Sequence, residues 1–316
     1  MENLTYDSSV PKFKTAVALG VFDGIHRGHQ DVILCASSFK NRGLSSAVFT
    51  FSTKTVTSKG NGRLDMLISD ELKLEMLNKL GVDYVYSPEF NELKNLTAED
   101  FVEKILLKKL NASIAVCGEN FRFGKGAFGD SHELSRLCSR VGIDAVVIPF
   151  TYFNGAPISS TEIRRLIREG SIDVANVMLG YDFQFRLKVV RGNALGRTLE
   201  FPTINQYFSP MQVTPRFGVY ASCVSFDGKE YPSVTNIGVK PTIGGEKFPL
   251  AETHIIDFNG DLYGKEVTVY LKKFIRPEQK FDSIEQLKSR LFKDLKKAKE
   301  FLYFTQSKGG YENEQD

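Results

Sequence analysis

The 316-residue chain has no tryptophan, four cysteines, four histidines and almost no charge imbalance, and each shortage narrows what it can be. Without tryptophan, ring stacking on a ligand falls to the 25 phenylalanines and 12 tyrosines. Cys35, Cys117, Cys138 and Cys223 are far apart, form no C-x-x-C pair and sit in mostly apolar surroundings. That pattern suits reduced core thiols and argues against disulfides and structural zinc. Lys and Arg total 41 against 38 Asp and Glu. A formal charge of +3 is too small to imply a nucleic-acid or membrane partner, so any anion binding is local. No apolar run approaches the roughly 18 residues of a membrane span. Residues 1–10 lack the basic and apolar regions of a signal peptide, which points to a cytoplasmic protein.

What is present is ordinary globular material, 42% hydrophobic and 25% charged, in a length that implies two domains. From residue 15 short β-rich runs alternate with amphipathic stretches, the pattern of a parallel sheet with crossover helices. Strands are expected over 15–19, 44–51, 82–87, 114–117 and 145–149, with helices over 29–40, 69–80 and 159–168 and another opened by Thr97. Beyond about residue 182 strands separated by Gly, Pro, Asn and Asp take over, at 185–190, 218–225, 233–239, 251–257 and 267–274. They imply an antiparallel sheet or small barrel, with hairpin signals at Asp227-Gly228 and Asn259-Gly260. A last helix, 283–303, carries Ile284, Leu287, Leu291, Leu295, Ala298 and Leu302 on the stripe expected to pack on that barrel. The reading is therefore one domain over 1–182, a second over 183–304 and a flexible tail, 305–316.

The first strand runs into Gly20-Val21-Phe22-Asp23-Gly24-Ile25-His26-Arg27-Gly28-His29, which opens a helix. Its glycines let the backbone approach a ligand, and the helix N-terminus presents free N–H groups to an anion. Gly20, Phe22, Asp23, Gly24 and Gly28 are thus candidate phosphate-binding positions. His26 and His29 can donate to a leaving pyrophosphate, in chemistry that needs positioning rather than a covalent nucleophile. The bland alternative is a Gly-rich turn with two surface histidines. A second anion site is read at Ser159-Ser160-Thr161, with Arg164 one turn further on, although hydroxyl residues also cap ordinary helices. Asn120 and Arg122, in Gly118-Glu119-Asn120-Phe121-Arg122-Phe123-Gly124, are a third candidate wall, or else a loop with core aromatics.

In the β-rich half a loop with Gly192, Gly196 and Arg197 precedes a rigid Pro202-Thr203-Ile204-Asn205 turn. Thr203 and Asn205 alternate along an extended chain and face one side, and their neutral oxygens suit Mg²⁺. The same residues also read as a surface loop with a proline turn. A Walker lysine motif is lacking, which excludes a P-loop kinase. Glu252, an acidic residue inside an apolar strand, is either a general base or a solvated face.

Taken together, Gly20 to His29, Asn120 to Gly124 and Ile158 to Arg164 resemble, in order, the G-x-F-D-G-x-H-x-G-H and later motifs of prokaryotic bifunctional riboflavin kinase/FMN adenylyltransferases (FAD synthetases). The segments around Arg197, Thr203, Asn205 and Glu252 resemble the kinase motifs of the same family, as do Gly218-Val219-Tyr220, Asn236-Ile237-Gly238, Leu262-Tyr263-Gly264 and Arg276-Pro277-Glu278. The resemblance implies a Rossmann-like α/β nucleotidyltransferase domain followed by a six-stranded antiparallel β-barrel with a C-terminal helix. It further implies ATP as co-substrate in both halves, with Mg²⁺. His26, His29, Asn120, Ser160, Thr161 and Arg164 would bind ATP and assist AMP transfer to FMN; Thr203 and Asn205 would hold Mg²⁺ while Glu252 activates riboflavin. The partners are then riboflavin, FMN, FAD and ATP/ADP, with no nucleic acid and no membrane, and a homo-oligomer is left open.

Three positions depart from the pattern. Thr50-Phe51 is followed by Ser52-Thr53-Lys54-Thr55 in place of the family's Pro-His-Pro, Ala127 stands where Arg is common, and Glu200 where Gly is usual. The departure at Ser52 to Thr55 keeps a narrower reading open, a riboflavin kinase with a weak or altered nucleotidyltransferase half, and a separate rival is a nucleotidyltransferase for another small phosphate with the barrel as an accessory binding module. A rival of another class, an oligonucleotide-binding barrel, would need a basic aromatic strand face.

Overall fold

A computed structural model describes residues 1–5, 8–52, 65–192, 200–241 and 247–307. The chain divides into two compact units, Met1–Ser160 and Thr161–Asp316.

The first unit is built on six parallel strands, β1 (Glu2–Leu4), β2 (Thr15–Leu19), β3 (Ser45–Phe49), β4 (Tyr84–Tyr86), β5 (Ala112–Gly118) and β6 (Asp144–Ile148), in the order β1-β4-β3-β2-β5-β6. Between them run α1 (Arg27–Ser38), α2 (Asp70–Lys79), α3 (Ala98–Asp100, continued as wider helical turns over Phe101–Lys109) and α4 (Ser131–Arg140). All five residues of β2 are buried, as a central strand covered on both faces requires. Val17 and Leu19 face a core with Phe101, Ile105, Leu134 and Leu137; Ala16 and Ala18 face the opposite core with Val32, Ile33 and Leu77. Ser69 and Thr97 cap their helices through side-chain oxygens that accept from Leu72 N and Asp100 N. A two-strand ribbon, β7 (Tyr152–Phe153) and β8 (Ala156–Pro157), follows, and α5 (Ser160–Glu169) starts at the last residue of this unit.

In the second unit α6 (Ile172–Leu179) precedes β9 (Gln184–Lys188), β10 (Ile204–Tyr207), β11 (Gly218–Phe226), β12 (Lys229–Pro241), β13 (Lys247–Ile255) and β14 (Glu266–Pro277). The antiparallel order is β10-β13-β12-β11-β14-β9. Its two edges meet: Val190 N donates to Asn205 O at 2.8 Å, and buried Gln206 donates to Leu187 O at 2.7 Å and to Val267 O at 2.9 Å. Closing the edges satisfies backbone groups that an open sheet would leave exposed. Inside, buried hydroxyls of Ser222, Ser233, Thr235 and Thr253 form a chain with contacts of 2.7, 2.8 and 2.9 Å. Outside, α7 (Ile284–Ser307) lays Ala298 and Leu302 on Val219, Ala221, Cys223 and Val234. The helix is also anchored by Asp294, which accepts from Arg276 Nε at 2.8 Å.

Both fold classes agree with the expectation. Differences lie in the detail. Asp227-Gly228 closes the β11–β12 hairpin with both residues left-handed, at φ 48° and 74°. Asn259-Gly260 closes none, because β13 pairs with β10 and β12 while β14 pairs with β9 and β11. That connection crosses the barrel instead. Ile284, assigned to the packing stripe, is 62% exposed, since the first turn of α7 stands off the sheet. The sequence pattern did not mark β1, α4, α6 or β10 as elements. The cysteines are free, three of them buried, and burial pushes the Cys117 thiol up to about 11 and Cys138 up to about 12.

Candidate functional sites

In the parallel sheet the chain leaves β2 to one side for β3 and later returns on the other side for β5. A ligand crevice is expected at the carboxyl ends of two strands where the order reverses in this way. The turn 20–29 follows β2 and the segment 118–124 follows β5, so the topology brings two expected walls to one sheet edge. The turn is strained: Phe22, Gly24 and Ile25 have φ of 52°, 80° and 38°. Left-handed backbone at non-glycine residues costs about 1–3 kcal/mol each and marks a built site. Gly20 lacks a side chain for a visible reason, since a Cβ there would lie 2.8 Å from the Phe22 ring.

His26 caps α1, its Nδ1 accepting from His29 N at 3.3 Å, and the two imidazoles stack with centroids 3.5 Å apart. Burial first, then the nearby His26 and Lys73, hold His29 well below the usual imidazole range. A His29 held neutral in this way keeps an N–H donor at neutral pH. His29 Nδ1 is buried without a hydrogen-bond partner among the described residues, a cost that core packing would not select. Phe22 meets the His29 ring edge-on at 5.3 Å. Asp23 is buried and holds the chain rather than facing solvent: Oδ1 accepts from Leu67 N at 2.9 Å, and its carbonyl accepts from Ser160 Oγ at 2.9 Å. That bond sets the first residue of α5 against the turn, and Thr161 and Arg164 follow along the helix. Gly28 lies in the first turn of α1, where a Cβ would come within 3.2 Å of Thr151 Oγ1.

On the neighbouring wall Asn120 and Arg122 are exposed, and Arg122 pairs with Asp130 at 3.5 Å. Phe123 is core, tilted on Phe101 at 5.4 Å, with Phe121 stacked on it at 5.7 Å. Ala127 has φ 57°. The sequence reading missed Lys73, whose only signal was a lysine sharing the buried face of α2 with Leu72 and Leu77. Of the departing segment Ser52 to Thr55, only Ser52 is described; its Oγ donates to Asp70 Oδ2 at 3.2 Å. The rest lies outside the described residues.

In the barrel, register does what the sequence did not reveal. Asn205 faces Glu252 across β10–β13, and Glu252 faces Asn236 across β13–β12, so the three share one sheet face. Thr203 immediately precedes β10, half-buried. Gly192 leaves room for the Asn205 amide, which would lie 2.5 Å from a Cβ at that position. Gly196 and Arg197 lie outside the described residues. The Phe201-Pro202 turn is clamped by His254, whose ring stacks on Phe201 at 3.8 Å and whose Nδ1 lies 2.8 Å from Pro202 O. Glu200 explains the usual glycine at its position, for it sits at φ 60°. Its carboxylate turns to Lys288 Nζ at 2.7 Å, which offsets the charge. Glu278 packs over Gly238, uniting two of the marked segments. Thr203 and Asn205 carry neutral oxygens of the kind that could hold Mg²⁺, with Glu252 opposite Asn205.

A family model described as FAD synthetase matches residues 10–162, and one described as riboflavin kinase matches residues 179–302. The bifunctional riboflavin kinase/FMN adenylyltransferase of Escherichia coli (strain K12) is 35% identical over 305 residues, 94% of this chain and 96% of its own. The chain belongs to the bifunctional riboflavin kinase/FMN adenylyltransferase family. The family member from Bacillus subtilis (strain 168) is 32% identical over 292 residues, 90% of this chain and 92% of its own. A crystal structure described as a macrolide-efflux protein from Streptococcus pneumoniae superposes with a TM-score of 0.83 at 29% identity, covering 94% of this chain and 98% of that one. No helix among the described residues is long and apolar enough to cross a membrane.

Proposed function

We propose that this riboflavin kinase and FMN adenylyltransferase divides its two reactions between its halves, with adenylylation in residues 1–182 and phosphorylation in residues 183–304. The observation that carries this reading is that each half holds its own reactive set: the stacked His26–His29 pair on a strained turn, and Asn205 opposite Glu252 in the barrel ladder.

In the first half an FMN phosphate oxygen attacks the α-phosphorus of ATP and pyrophosphate leaves. His26 and His29 donate hydrogen bonds as charge develops on the leaving group, and the turn and the N-terminus of α1 receive phosphate oxygens. Asn120, Ser160, Thr161 and Arg164 complete the ATP contacts. In the barrel Glu252 takes the proton of a ribityl hydroxyl, whose oxygen attacks the γ-phosphorus of ATP and releases ADP. Thr203 and Asn205 would hold Mg²⁺, which neutralises phosphate charge when bound. Arg197 and the Gly192–Gly196 loop contact the nucleotide. The substrates are small molecules met by local donors, which agrees with the weak net charge, and the protein works in the cytoplasm.

Incubation with riboflavin, ATP and Mg²⁺ followed by separation of the flavins tests this. The parent forms FMN and FAD. His29→Ala loses FAD and keeps FMN formation, whereas Glu252→Ala loses FMN formation and still converts supplied FMN to FAD. Loss of both activities in either folded variant overturns the assignment. The altered Ser52 to Thr55 segment favours one second reading, a kinase with a weakened transferase half, and FAD yield from supplied FMN decides between the two.

A further inference from the structure

Lys73 is the one lysine buried in the core among the described residues, 2% exposed. Its Nζ lies 3.3 Å from Phe51 O, 3.5 Å from Val21 O and 3.7 Å from Asp70 Oδ1. Three long contacts are weak compensation for an ammonium taken out of water. Burial accordingly lowers its pKa, against the opposing pull of Asp70 and Asp23. If the role were packing alone, an uncharged side chain of similar shape would serve as well or better. The two carbonyls identify what the charge is for. Val21 belongs to the turn that carries His26 and His29, and Phe51 lies just beyond β3, so one ammonium joins the exits of neighbouring strands β2 and β3. Thr50 Oγ1 reinforces the same link by donating to Val21 O at 2.7 Å.

We propose that Lys73 is a positioning residue of the adenylyl-transfer site: its ammonium fixes the Val21 and Phe51 carbonyls, holds the Gly20–His29 turn in its strained form, and keeps a positive charge beside the histidine pair. This rests on the reading that residues 1–182 carry out adenylyl transfer. Lys73 is too buried to meet substrate, so it acts through the turn. Misplacing a reacting group by about 1 Å costs on the order of a hundredfold in rate.

The test uses Lys73→Met, which keeps the shape, and Lys73→Arg, which keeps the charge, in the full chain. The expected result for folded Lys73→Met is a kcat for FAD formation from FMN lower by about ten- to a hundredfold, with KM for FMN and the rate of riboflavin phosphorylation unchanged. Lys73→Arg should recover most of the loss. Parental kcat in folded Lys73→Met, or a Lys73→Arg no better than Lys73→Met, overturns the proposal. If Lys73→Met does not fold, Lys73→Arg decides: near-parental kcat supports the role and a large loss in the folded protein refutes it. A parent that forms no FAD would instead refute the adenylyl-transfer reading itself.

Discussion

Replacing Gly192 by alanine should slow riboflavin phosphorylation about a hundredfold and leave FAD synthesis from supplied FMN untouched. The added methyl would meet Asn205 Nδ2 at 2.5 Å, Cγ at 2.8 Å and Oδ1 at 2.9 Å, where ordinary contacts lie at 3.4–4 Å. The amide must therefore move by about 1 Å to reach normal van der Waals distance. The Asn205 backbone is not free to make that move, because its carbonyl accepts from Val190 N at 2.8 Å and its strand is paired residue by residue with β13. The side chain has to rotate instead, away from its place opposite Glu252. At about 1.4 kcal/mol per tenfold, a hundredfold loss is a barrier increase of about 2.8 kcal/mol. Gly192 is not left-handed, so backbone strain does not confound the result. Initial rates of both reactions in the folded variant are the assay. Gly228→Ala serves as a contrast, for its φ of 74° adds strain with no side chain in reach, and both activities should persist. A parental kinase rate in Gly192→Ala, or equal loss of both activities, would refute the reasoning.

Other outcomes follow from the same structure. Asp294, with its side chain 1% exposed, accepts from Arg276 Nη2 at 2.7 Å and pairs with Arg290 at 3.3 Å; Asp294→Ala leaves the mostly buried Arg276 guanidinium without a carboxylate partner. It should lower unfolding free energy by about 3–5 kcal/mol in a urea titration, and an unchanged midpoint would contradict the role given to this pair. Burial lowers the pKa of both His29 and His254, so the folded chain binds protons more weakly than the unfolded one. Stability is then full above the ordinary imidazole value of 6.5 and declines as pH falls through the folded values. Melting temperatures measured down to about pH 5 should show that decline, and His29→Gln should reduce it. Among the thiols, Cys117 and Cys138 should resist alkylation at about pH 8 until the protein is unfolded, because their thiolates are disfavoured by burial.

Much of this was legible in the sequence because it is local. A Gly-rich turn between a buried strand and a helix needs only φ freedom and a helix N-terminus, both encoded within the ten residues from Gly20 to His29. The two strand textures on either side of residue 182 likewise follow from periodicity, and so do the parallel sheet and the barrel. Contacts between distant residues were not legible. The pairing of Asn205 with Glu252 is set by strand register, which no local pattern specifies when a proline turn and a mixed polar segment hide β10. Asn259-Gly260 looked like a hairpin and became a crossover for the same reason. Glu200 departs from the family's usual glycine, and only the packed chain brings Lys288 of α7 to its carboxylate. Lys73 stands in no motif, and its value depends on two carbonyls 22 and 52 residues away in sequence. The sequence by itself determined which chemistry the chain carries, since reactive groups come in short motifs. Tertiary structure decided which of those groups stand together, because burial and register are properties of the packed chain.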